Sequence, residues 1–147
     1  MKTSFSPKNN PRVIIIQKLY GKFFNKDEQL TFPKHRFKKF IKDIVSGTIE
    51  RNDLILEELD KNLGEKFSQK KLDKNLGDEF ILGNLDKLFQ VILKSATYEF
   101  LYKPNLSIKI IIKEYLNASN FFLDNNQTKY LNALLDNIGK KLRSSNA

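Results

Sequence analysis

Apolar residues spaced three and four apart constrain this chain more than any other feature. The clearest case is Leu85, Leu88, Phe89, Ile92, Leu93, Ala96 and Phe100. That spacing lines one face of a helix with 3.6 residues per turn and fits no strand, whose period is two. The pattern recurs along the chain. Val13, Ile16, Leu19, Tyr20 and Phe23 follow Asn10-Pro11, where Asn suits a helix cap and Pro the first turn. Phe37, Phe40, Ile41, Ile44, Val45 and Thr48 follow Pro33, with Lys38, Lys39 and Lys42 off the stripe. Ile55, Leu56 and Leu59 follow Asn52. Ile108, Ile111, Ile112, Tyr115, Leu116 and Phe122 follow Ser107, another candidate cap. Leu131, Leu134, Leu135, Ile138 and Leu142 complete the set. No alternating pattern competes, so the expected fold is all-α: a compact single-domain bundle of six or seven helices.

Between the helical segments, "YKPNLS" (102–107) and "LDNNQT" (123–128) read as polar turns. Residues 1–10 read as a flexible basic arm ahead of a helical domain over 11–143. One stretch resists assignment. "LDKNLGEKF" at 59–67 returns as "LDKNLGDEF" at 72–80. Two short copies are too few for a solenoid, whose repeats of ~20–50 residues must stack several deep. With Gly64 and Gly77 as breakers, 62–83 reads as a loose, partly helical connection.

Composition narrows the chemistry. The chain has 147 residues, no cysteine and one histidine, His35. Disulfides, thiolate metal sites and a cysteine nucleophile are excluded, and a histidine metal cluster is out of reach. There is no glycine-rich phosphate loop and no nucleophile elbow. Acidic pairs such as Glu57-Glu58 and Asp78-Glu79 read as solvated surface, and His35, beside Arg36, as an exposed residue. The expectation is a protein that is not an enzyme and needs no cofactor. Apolar runs reach only four residues, as in "VIII" at 13–16, against the ~20 of a spanning helix. A soluble, cytoplasmic protein with no membrane partner is expected.

The formal charge is +9, which favours anionic partners. Only four of the 26 basic residues are arginines: Arg12, Arg36, Arg51 and Arg143. An A+T-rich genome explains lysine over arginine but not the excess of bases over acids. Charge alone leaves nucleic-acid binding and a generic basic surface both open.

Three segments carry a resemblance: "PRVIIIQKLYGKFF" (11–24), "ILKSATYEFLYKPNLSIKIIIKEYLNASNFF" (92–122) and "TKYLNALLDNI" (128–138). Their phrases, Q-x-L-Y, L-K-x-A-x-Y-E-F, K-I-x-I-x-E and K-Y-L-N-x-L-L-D, are similar to those of the NusB family, bacterial transcription antitermination factors. The resemblance implies an all-helical, non-enzymatic protein. It implies pairing with NusE, a small-subunit ribosomal protein, recognition of boxA RNA, and service in the RNA polymerase antitermination complex on ribosomal RNA operons. It also allows a homodimer.

By the same matching, Arg12 falls on the helix that contacts RNA, with Lys2 and Lys8 on the arm before it. These would contact phosphate, which positions RNA without reading it. Lys94 takes the place of a family arginine, with an RNA contact or a plain solvated lysine both open. Lys129 and Tyr130 fall on the RNA surface. Tyr130 could stack on an unpaired base, worth ~1–3 kcal/mol, or serve as a core aromatic. Tyr20 and Phe89 match the NusE-facing side, although Phe89 replaces an acid and lies on the apolar stripe. Asn132 and Asp136, among the leucines of the last helix, invite structural roles: Asn132 tying the helix to a neighbouring backbone, Asp136 pairing with a base or capping a helix. The family's arginine run before the first helix is reduced here to "SPKNNPR". An alternative function is therefore a helical protein-binding adaptor with weak or no specific RNA binding. Fusion to a methyltransferase, seen with this type of domain, would need a separate α/β domain that no residues remain to build.

Overall fold

The computed structural model describes residues 9–27, 29–63 and 87–144. Lys2, Lys8 and most of the duplicated stretch lie outside them. Six helices are described: α1 Pro11–Phe24, α2 Lys38–Glu50, α3 Asn52–Leu63, α4 Lys87–Tyr102, α5 Ile108–Ser119 and α6 Asn125–Ser144. No strand occurs among the described residues.

Local chemistry sets the boundaries. Asn10 caps α1, its side-chain oxygen accepting from the Arg12 and Val13 amides at 2.9 and 3.4 Å, with Pro11 at the first position. Ser107 caps α5 by accepting from the Ile110 amide at 3.1 Å. The last helix starts earlier than its leucine stripe suggests. Asp124 Oδ1 accepts from the Gln127 amide at 2.8 Å, and Gln127 Oε1 accepts from the Asp124 amide at 3.0 Å. This reciprocal capping box turns most of the expected 123–128 loop into the first turn of α6. At the other end, α5 stops at Ser119, and Phe122 packs against the core from the turn that follows.

α4 is the axis of the bundle and contacts each of the other five helices. Its residues are buried nearly all round, from Phe89 to Phe100 with only Lys94 half-exposed. Such a helix must satisfy its polar side chains inside the protein. Ser95 does so by donating to the Val91 and Ile92 carbonyls at 3.1 and 3.2 Å. Around α4, the core takes Ile41, Ile44 and Val45 from α2 and Ile55 and Leu59 from α3. It takes Leu131, Leu134, Leu135, Ile138 and Leu142 from α6. α2 approaches closely at Gly47, where an added Cβ would collide with the Tyr98 ring. Arg143, on the last turn of α6, reaches across to the end of α4. Its Nε donates to the Phe100 carbonyl at 2.7 Å and its terminal nitrogen to the Lys103 carbonyl at 3.1 Å. It thereby supplies donors that the open end of α4 lacks.

Candidate nucleic-acid interface

The structure divides the sequence-predicted site residues into inward and outward groups. Arg12 goes inward. It is 7% exposed, and its guanidinium grips Glu99 of α4 through two hydrogen bonds, at 3.1 and 2.5 Å. The Tyr115 hydroxyl of α5 donates to the same carboxylate at 2.5 Å. The guanidinium also lies over the Phe40 ring of α2, 4.7 Å from its centroid. One buried cluster therefore ties α1, α2, α4 and α5 together. Burial pushes the Arg12 pKa down, but the hydrogen bond and charge of Glu99 outweigh it and leave the pKa raised. Burial and then the Glu99 charge hold the Tyr115 phenol well above its ordinary value. The expected phosphate contact at Arg12 does not fit this geometry, because every face of the guanidinium is engaged within the fold.

Phe89 is the second correction. It is 4% exposed and packs in the core, 5.7 Å from the Tyr130 ring. Its place on the apolar stripe outweighs its match to a partner-facing position, because a buried ring offers a partner no surface.

Lys129 is exposed on the first turns of α6, and Tyr130 is half-buried beside Phe89. Stacking surface and core aromatic thus both hold in part for Tyr130: one side of the ring packs on the core and the rest is accessible. Burial raises its pKa. Tyr20 is half-buried and stands edge-on to Phe24, centroids 4.9 Å apart. Phe24 is itself 63% exposed. Lys94 is half-buried, with its ammonium 5.7 Å from the Phe23 ring centroid. Burial, then the neighbouring charge of Lys87, lowers its pKa.

Asn132 is exposed and off the apolar face of α6, so it ties the helix to nothing buried. Asp136 does pair with a base: Lys140, one turn on, at 3.1 Å. An exposed pair of this kind contributes little to stability.

The surface that sequence reasoning missed is the segment between α1 and α2. Thr31–Phe37, with Asn9, Gln17 and Lys18, lines an open groove of about 1170 Å³. Lys34 and Arg36 are exposed there, and the Arg36 guanidinium lies 5.1 Å from the Phe37 ring centroid. Phe37 is 45% exposed. His35 shapes the turn, its Nδ1 accepting from the Phe37 amide at 3.0 Å, so its ring is half-buried and structural. The signal was available in "FPKHRFKKF" (32–40), where cations alternate with rings. It was masked because Phe37 and Phe40 also continue the helical stripe.

Among the described residues no group of acidic or histidine side chains could hold a metal. No described helix is long and apolar enough to cross a membrane. Fold and surface together define an all-helical protein with a basic, aromatic-bearing face. The chain belongs to the NusB family, whose model matches residues 9–140. It is similar to the transcription antitermination protein NusB of Bradyrhizobium diazoefficiens, 26% identical over 71% of this chain and 55% of that protein. The corresponding protein of Sphingopyxis alaskensis is 27% identical over 71% of this chain and 61% of its own length. The matched region thus spans little more than half of these relatives. Among solved structures, NusB of T. maritima superposes with a TM-score of 0.69, covering 92% of both chains at 23% identity, a likeness of fold.

Proposed function

We propose that this protein is a transcription antitermination factor that binds boxA-type single-stranded RNA together with NusE. In that role it joins the RNA polymerase antitermination complex and promotes processive transcription of ribosomal RNA operons. Family membership carries the reading, and the distribution of charge and rings supports it. Lys129 and Tyr130 present a cation beside a half-open ring, and Lys34, Arg36 and Phe37 present the same combination along the groove. Cations track the phosphates and rings stack on unpaired bases, the pairing that single-stranded RNA requires. Lys2 and Lys8 add charge from the N-terminal arm. Tyr20 with Phe24 is the surface assigned to NusE in this reading, being aromatic and open.

The test is a titration of labelled boxA-like RNA and a scrambled control at two salt concentrations, with this protein alone and mixed with NusE of the same organism. Sequence-selective binding that NusE strengthens supports the reading. Equal, salt-sensitive binding to both RNAs, indifferent to NusE, rejects it. Lys129→Ala with Tyr130→Ala removes one base stack and one cation at a phosphate. It is expected to weaken RNA binding about tenfold or more, while far-ultraviolet circular dichroism keeps its helical shape. Loss of fold in that variant would show that Tyr130 serves the core alone.

One observation favours a second reading, a protein-binding adaptor with weak RNA affinity. The arginine nearest the N-terminal arm is consumed by Glu99, and lysines lack the bidentate fork of arginine for phosphate. The same titration separates the two, since an adaptor binds NusE and neither RNA.

A further inference from the structure

A cleft of about 280 Å³ opens between the end of α1, the α2–α3 junction and α4. Leu19 and Val91 give it an apolar floor. Lys22, Lys26 and Lys94 line it, and none of the described residues lining it is acidic. The ammonium of Lys87 lies 4.8 Å from the Phe23 ring that Lys94 also approaches, so a fourth cation stands at the rim. Like charges gathered around one concavity raise its potential and favour an anion inside it. A second observation is independent of charge. Thr48 lines the cleft, is 3% exposed, and its hydroxyl has no hydrogen-bond partner. Buried hydroxyls are normally satisfied, and an orphan beside a cleft is accounted for by an acceptor bound there.

We propose that this cleft is a binding site for a phosphate monoester, held by the ammonium groups of Lys22, Lys26 and Lys94. The monoester is favoured over a phosphodiester on two grounds. Its second ionisation near pH 6 gives it close to two negative charges at pH 7, which answers a cluster of three cations. The cleft has the size of a small-ligand pocket, not of a strand-tracking groove. Lys94 gains most. Its charged form is disfavoured by burial and by Lys87, and a bound anion offsets both. Neither the family assignment nor the RNA reading is required for this site.

The test uses the full chain and three probes: inorganic phosphate, adenosine monophosphate, and a short oligonucleotide with no terminal phosphate. Calorimetry is expected to show saturable one-to-one binding of the first two. Lys94→Met removes one charge-assisted hydrogen bond and is expected to lower their affinity about tenfold or more. Thr48→Val is expected to weaken binding while the unfolding temperature is unchanged or raised, because the deleted hydroxyl had no partner within the protein. Lys113→Ala, an exposed lysine on α5, is expected to bind as the unchanged protein does. Three results would overturn the proposal: binding that does not saturate, an equal drop in affinity for Lys113→Ala and Lys94→Met, or tighter binding of the oligonucleotide than of the monophosphate.

Discussion

Arg12 and Arg36 are the same residue type, each beside the start of a helix near the N-terminal end of the chain, and they have opposite fates. Arg12 is enclosed by Glu99, Tyr115 and Phe40. Arg36 lies open over Phe37 at the edge of a groove. The difference comes from partners. Arg12 meets a carboxylate 87 residues away that lies on a helix buried on all sides. Arg36 has only its own loop. One cation therefore holds the bundle together, while the other remains available to a ligand. A basic residue near a helix start predicts neither outcome by itself.

The largest expected effect tests the inward half of this comparison. Arg12→Ala leaves the Glu99 carboxylate, fully buried, without its counter-charge. Breaking one side of such a pair costs about 3–5 kcal/mol. Urea unfolding should show a midpoint shift of that size, and a shift below about 1 kcal/mol would mean that the pair is dispensable.

Next is Tyr115→Phe, which removes one hydrogen bond to a charged acceptor and is expected to cost about 1.5–3 kcal/mol near neutral pH. It also carries a pH signature. The folded-state pKa of Tyr115 lies above the unfolded value, which is about 10. Above that pH the unfolded chain sheds a proton that the folded protein keeps, so stability falls as pH rises. The contribution is fully present below about pH 10 and disappears toward the folded pKa. Lys94, lowered by burial, acts in the opposite sense just below its ordinary range. The informative quantity is therefore the difference between the two proteins. Stability measured from pH 8 to 11 should fall less steeply for Tyr115→Phe.

The outward half is tested by Lys34→Ala with Arg36→Ala. Exposed substitutions of this kind change stability by no more than about 0.5 kcal/mol. The plot of log affinity against log salt for single-stranded RNA should become shallower by about 0.7 for each phosphate that is no longer neutralised. An unchanged slope would remove the groove from the RNA path. The smallest effect belongs to Asp136→Ala, which deletes an exposed pair one helical turn apart. About 0.3–0.5 kcal/mol is expected from thermal unfolding. A loss of stability several times larger would mean that Asp136 has a role beyond its neighbour Lys140.

Helices, caps and the α4 core were legible in the sequence because each rests on neighbours within about one turn of one another, three and four residues apart for stripes and two or three for caps. Asn10, Pro11 and Ser107 are such cases. The Asp124–Gln127 capping box was equally local. It was passed over because four polar residues in a row resemble a loop. The family phrases were legible too, and the matched region confirms them.

Tertiary structure alone decided which charges are used up inside the protein. Nothing local distinguishes Arg12 from Arg36, or marks Glu99 as a carboxylate with two partners. Nor does the sequence show that Phe89 supports Tyr130 from within, or that Lys22, Lys26 and Lys94 share one cleft with Thr48. Helix periodicity is a property of successive residues along one segment. The environment of a charge depends on which segments pack around it and how far they exclude water, and that is fixed only when α4 is enclosed by its five neighbours.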